Sequence, residues 1–117
     1  MKAIPFKVGL EEAIAQLQLE PIHRFTTVMR HHSMSVEYYA PKFKDLQTPH
    51  LQDELYIITS GKGILIRGDE KVTCMAGDVL FVPAGTRHKF ENFTDDFATW
   101  VIFYGPEGGE EKSLSSN

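Results

Sequence analysis

Gly77–Asn92, GDVLFVPAGTRHKFEN, reads as a strand, a tight turn and a return strand built around one histidine. Gly77-Asp78 is a turn signal, and Val79-Leu80-Phe81-Val82 is a short apolar run suited to a buried strand. Pro83 cannot donate to a ladder, so the strand should end there. Gly85 offers the positive φ that lets the chain reverse within Pro83–Thr86. On the return strand, alternation puts His88, Phe90 and Asn92 on one side. A histidine turned into a barrel needs partners for both ring nitrogens.

Thr48–Gly63, TPHLQDELYIITSGKG, supplies them. His50, Gln52 and Glu54 fall at period two on one strand face, and Tyr56 and Ile58 continue it. Leu55 and Ile57 are apolar on the other face, so both faces should be covered. A carboxylate in such a strand is seldom fully buried unless it is paired or binds a metal. His50, Glu54 and His88 would together make a 2-His-1-carboxylate set.

These residues carry a resemblance: the chain resembles a small single-domain cupin. That family's second motif is glycine, five residues, Pro-x-Gly, two residues, histidine, three residues and asparagine. Gly77, Pro83, Gly85, His88 and Asn92 match it in full. In the first motif His50, Glu54 and Gly61 keep their places, while Thr48 stands where the first histidine would be and Lys42 where the leading glycine would be. The resemblance implies a divalent metal (Fe, Zn, Mn or Ni) held by His50, Glu54 and His88, with Thr48, the Gln52 carbonyl or a water at the fourth position. A metal-free barrel that keeps these side chains as hydrogen-bonded pocket residues is the alternative.

The rest of the chain fits an all-β fold, a double-stranded β-helix (jelly-roll, cupin-type barrel) with one short N-terminal helix. Leu10, Ala13, Ile14 and Leu17 make a helical stripe over Gly9–Gln18, with Glu11 and Glu12 near its N-terminus. Eight short strands are expected after it: Arg24–Met29, Met34–Ala40, His50–Thr59, Gly63–Arg67, Lys71–Met75, Asp78–Val82, His88–Asn92 and Phe97–Tyr104. Ser60–Gly63 and Gly68–Glu70 read as hairpins. Residues 1–104 should form one barrel domain and residues 105–117, GPEGGEEKSLSSN, a mobile tail. Ile4, Phe6 and Val8 alternate as an edge strand would, and small cupins of this kind commonly pair, so a homodimer is expected.

At 117 residues, with 16 acidic and 12 basic side chains and a net charge of −4, the chain suits one domain and lacks the basic block of a nucleic-acid binder. No apolar run approaches membrane-spanning length, and neither a signal-peptide core nor a second cysteine beside Cys74 is present, so a cytoplasmic location is expected. His31 and His32 suggest a surface turn, His23 a partly exposed junction, and Cys74 a small buried hydrophobe. Tyr38, Tyr56, Phe90 and Trp100 lie on strands that could line an interior pocket for a small-molecule ligand, although most should be ordinary core. Three functions stay open: a dioxygenase-like metal enzyme, a metal-dependent isomerase, epimerase or lyase, and a binding or sensing module without turnover. For proton transfer, Tyr56, Tyr38 and Asp53 are the acid/base candidates.

Overall fold

Apolar alternation and glycine or proline punctuation give eight strands and one helix in the computed structural model, which describes residues 4–20, 22–45 and 48–110. The elements are α1 (Leu10–Gln18), β1 (Phe25–His31), β2 (Met34–Tyr39), β3 (Asp53–Ser60), β4 (Lys62–Arg67), β5 (Glu70–Met75), β6 (Val79–Val82), β7 (His88–Glu91) and β8 (Ala98–Tyr104). Five strands form one sheet in the order β1-β2-β8-β3-β6, and three form a second in the order β5-β4-β7. Every pairing is antiparallel. The fold is an all-β jelly-roll barrel with one short helix.

The core lies between the sheets. Tyr56, Ile58, Val82, Val101 and Phe103 come from the larger sheet and meet Leu65, Cys74 and Phe90 of the smaller, with Phe97 closing one end. Cys74 is the buried hydrophobe its neighbours suggested. A smaller cluster lies on the outer face of the larger sheet, where Ala13 and Leu17 of α1 pack against Tyr38 and Ala98, with Trp100 beside them. Tyr38 and Trp100, expected on the interior, therefore belong to this outer layer. They are register partners in edge-to-face contact, 5.4 Å between centroids. Alternation along β2 turns Tyr39 inward in place of Tyr38.

Nine residues make a marginal helix in isolation, so tertiary contacts must hold α1. The Gln16 amide donates to the Thr26 hydroxyl and the Thr27 carbonyl, and the Thr26 hydroxyl donates to Glu20.

Two connections position the site. Ser60–Gly63 does not close a hairpin, because β3 and β4 belong to different sheets; it carries the chain across the barrel end. Gly61 has φ +74°, and a Cβ there would meet the Phe97 Cα at 2.8 Å, so only glycine makes this crossing. Gly68-Asp69 does close a two-residue hairpin, with Arg67 opposite Glu70. The turn after β6 is tied to the chain preceding β3. Gly85 N–H donates to the His50 carbonyl at 2.7 Å, and Ala84 N–H to Asp53 Oδ1 at 2.9 Å.

Residues 105–110, read from sequence as part of a mobile tail, return to this same corner. Gly108 N–H donates to the Leu51 carbonyl and Glu110 N–H to Asp53 Oδ2. The remainder of that tail, 111–117, lies outside the described residues. Residues 4–9, with Ile4, Phe6 and Val8, form no strand within the chain. Among the described residues no helix is long and apolar enough to cross a membrane.

Candidate metal centre

The hydrogen bonds of the Pro83–Thr86 turn bring three side chains from distant parts of the sequence together. Glu54 points inward from β3, opposite Val82 of β6 and Phe103 of β8. His88 opens β7, and His50 precedes β3 on the segment that Gly85 holds. Among the described residues His50, Glu54 and His88 are the group able to hold a metal ion, each offering a ligand atom within 4.8 Å of the others. Donors around one ion, with bonds of about 2.1 Å, sit roughly 3–4 Å apart, so little closure is needed.

His88 Nδ1 lies 2.8 Å from the Thr86 carbonyl. A carbonyl only accepts, so Nδ1 carries the proton and a neutral His88 presents the bare lone pair of Nε2. That nitrogen lies 2.9 Å from Glu54 Oε1, and both side chains are 1% exposed. Glu54 Oε2, equally buried, has no hydrogen-bond partner among the described residues. Two lone-pair atoms buried this close repel unless a proton or a cation shares them. A divalent cation fits this donor set, with Thr86 fixing the ring behind His88 as carbonyls do for metal-binding histidines.

The two imidazoles feel different fields. Burial pushes His88 down, but Glu54 and the Thr86 carbonyl outweigh it and leave its pKa above the ordinary value. Burial dominates at His50 and lowers it, against the attraction of Glu54. A neutral His50 suits ligation, which requires the deprotonated ring. Its ring also packs edge-on against Phe103 at 4.7 Å.

Gln52 is placed elsewhere. Its amide nitrogen donates to the Ser33 carbonyl at 2.5 Å and the Gly105 carbonyl at 2.9 Å, bracing the β1–β2 turn against the end of β8. Residues 51 and 52 form a bend before β3, so the period-two alignment does not run back from Glu54 to Gln52. Tyr56 and Phe90 are interior, stacked edge to face at 4.8 Å, with Tyr56 6.3 Å from the His88 ring. Asp53 faces away and holds the two backbone amides named above. His31 ends β1 and His32 opens the β1–β2 turn; both are exposed, away from the site.

His50 also borders a cleft of about 430 Å³ on the inner face of the larger sheet. Phe25, Val101 and Phe103 give it apolar walls, with exposed Ile22 at the lip. Its polar groups are Glu37, Tyr39, Thr48 and His23. The size suits a small organic molecule.

Two carboxylates here escaped the sequence reading. Glu37 projects from β2 into the cleft; burial raises its pKa first and the nearby Glu54 charge second, against Arg30 and the Thr27 hydroxyl. Asp45 is buried between the sheets: Oδ1 accepts the Tyr39 hydroxyl at 2.5 Å and Oδ2 the Phe90 N–H at 2.8 Å. Burial, and then Asp45, hold the Tyr39 phenol far above its ordinary range. Neither acid belongs to a local pattern in the chain.

Asp45 occupies the open edge of β7 and satisfies a buried amide there. Asp45→Ala should therefore cost about 1–3 kcal/mol, the penalty of leaving the Phe90 N–H buried without an acceptor. Asp45→Asn should cost less, since its carbonyl can still accept from Phe90. Urea denaturation of both variants measures the difference.

Comparison with known proteins agrees with this architecture. The family model described as "Cupin domain" matches residues 35–104. An uncharacterized protein of Streptomyces coelicolor is 40% identical over 81 residues, covering 68% of this chain and 77% of the relative. A Cupin 2 conserved barrel domain protein of Salinispora arenicola superposes with TM-score 0.64 at 20% identity, covering 99% of this chain and 100% of that one. A chain from the structures of the DMSP lyases RdDddP and RnDddQII superposes with TM-score 0.52 at 25% identity, covering 63% of this chain and 38% of that one. With its glycine-proline turn, its paired sheets and its inward His/Glu/His group, this chain belongs to the cupin family.

Proposed function

We propose that the chain is a metal-dependent enzyme acting on a small organic molecule, with a divalent ion held by His50, Glu54 and His88. The observation that carries the reading is the convergence of His50, Glu54 and His88, each offering a ligand atom within 4.8 Å of the others, with His88 and Glu54 buried. Bound there, an ion of the iron, manganese, nickel or zinc type would supply redox or Lewis-acid chemistry, and three protein donors leave coordination positions for other ligands. A dioxygenase-like reaction is the first reading on that ground. The protein's own groups set the rest. Thr86 orients His88, Gly85 fixes the segment bearing His50, and Phe25, Val101 and Phe103 give the cleft its apolar walls.

A second reading, a metal-dependent isomerase or lyase, is favoured by Glu37. A half-buried carboxylate of raised pKa in the cleft suits proton transfer without an oxidant. Likeness to a chain from DMSP lyase structures points the same way.

Elemental analysis of the purified, untagged protein tests the proposal. Near-stoichiometric metal is expected, and ferrous iron with oxygen uptake favours the dioxygenase reading. Zinc, nickel or manganese without oxygen uptake favours the second. Metal absent even after anaerobic reconstitution overturns both in favour of a metal-free binding module. The proposed assembly is a homodimer, consistent with the exposed Val79 and Phe81 on the edge strand β6; light scattering after size exclusion checks it.

A further inference from the structure

We propose that Glu37 reads the ligand in the cleft, and that this ligand is a neutral or cationic small molecule presenting hydroxyl or ammonium donors rather than a carboxylate or phosphate. The inference deepens the proposed function and rests on the cleft as the place where the ligand sits.

Register fixes the position. Glu37 pairs with Val101, and Val101 with Tyr56, so the three form one row across β2, β8 and β3. Adjacent strands are about 4.8 Å apart, which puts the Glu37 backbone roughly 10 Å from that of Tyr56. Glu54 lies two residues before Tyr56 on the same face of β3. The span between Glu37 and the metal group is therefore that of a small molecule able to touch both.

The chemistry of the wall sets the ligand class. Glu37 stands between Val101 and the Phe25 end of β1, and the Thr27 hydroxyl accounts for one of its lone pairs. An ionised carboxylate offers about four such sites, so it can accept further donors. The salt bridges among the described residues pair other groups: Arg67 with Glu70, Lys71 with Glu91, and His88 with Glu54. Arg30 acts on Glu37 through space, and no lysine or arginine lines the cleft among the described residues. At the Glu37 end of the cleft, away from the proposed ion, an anionic group would thus meet the carboxylate without a compensating cation. An ammonium or hydroxyl group would gain a charge-assisted hydrogen bond inside a partly desolvated wall.

The test is a ligand-observed NMR screen of the full-length protein, metal-loaded and chelator-treated, against fragments divided equally between amines or polyols and carboxylates or phosphates. Amines and polyols should dominate among binders that shift the amides of Glu37, Tyr39 and Val101. Glu37→Gln, close to isosteric, should weaken the amine binders about tenfold, the value of one charge-assisted hydrogen bond, and leave carboxylate binders unchanged or tighter. Its thermal midpoint and metal content should match the wild type. The proposal is overturned if carboxylates dominate in the wild type, if Glu37→Gln leaves amine affinities unchanged, or if no fragment reaches the cleft. A Glu37-dependent ranking in protein that takes up no metal would overturn the metal reading alone.

Discussion

Glu54→Ala is expected to take bound metal from near-stoichiometric to undetectable while the barrel stays folded. Glu54 is the single carboxylate of the group and supplies its only fixed negative charge. Without it, two neutral imidazoles would hold a divalent ion in a buried setting, and its charge would be uncompensated. Losing a group that merely hydrogen-bonds to a metal ligand costs roughly 10–100-fold in affinity, so loss of a direct ligand should exceed that. Folding should change far less. In the metal-free protein Glu54 is a buried acceptor with one oxygen lacking a partner, and alanine trades that cost against a small cavity. Elemental analysis and a chelator competition titration read the affinity, and circular dichroism reads the fold. Full metal occupancy in the variant would remove Glu54 from the site.

The largest effect on stability should come from Phe90→Ala, at about 3–5 kcal/mol. Phe90 is 1% exposed and joins the sheets by stacking on Tyr56 and on Phe97, each 4.8 Å away. Truncation removes both aromatic contacts and leaves a void that the paired sheets cannot collapse to fill. A domain of this size has a net stability of about 5–15 kcal/mol, so the variant should lie near the edge of folding. Val72→Ala is the control: Val72 is exposed on β5, in the other sheet from the proposed pairing edge β6, and its loss should stay within about 0.5 kcal/mol. Equal urea midpoints for the two variants would contradict the assigned core.

Much of this fold is written locally. Gly77, Pro83 and Gly85 mark the turns around β6, and each acts within a few residues, so the strand ends there fall where the residues suggest. The helix lies over Leu10–Gln18 as its stripe implies. The discrepancies have non-local causes. Nothing in HLQDE signals a break, and β3 begins at Asp53, where the turn after β6 holds the His50 carbonyl and the Asp53 carboxylate. Ser60–Gly63 resembles a hairpin turn, but which sheet receives β4 depends on packing around Phe97. Alternation gives each strand two faces without saying which is inside, so Tyr38 and Trp100 could be paired in sequence yet assigned to the wrong layer. His50, Glu54 and His88 were legible because an inward carboxylate and histidines demand partners. Glu37 and Asp45 were not, since an acid in a strand or a loop is ordinary until its buried neighbours are known.

His50, Glu54 and His88 are proposed to converge on one metal ion. Anomalous diffraction from crystals of metal-loaded protein, recorded above and below the metal's absorption edge, tests it most directly. A single strong peak per chain is expected about 2.0–2.2 Å from a ring nitrogen of His50, a carboxylate oxygen of Glu54 and Nε2 of His88. A peak elsewhere on the chain, or none between these residues in protein exposed to excess metal, would contradict it.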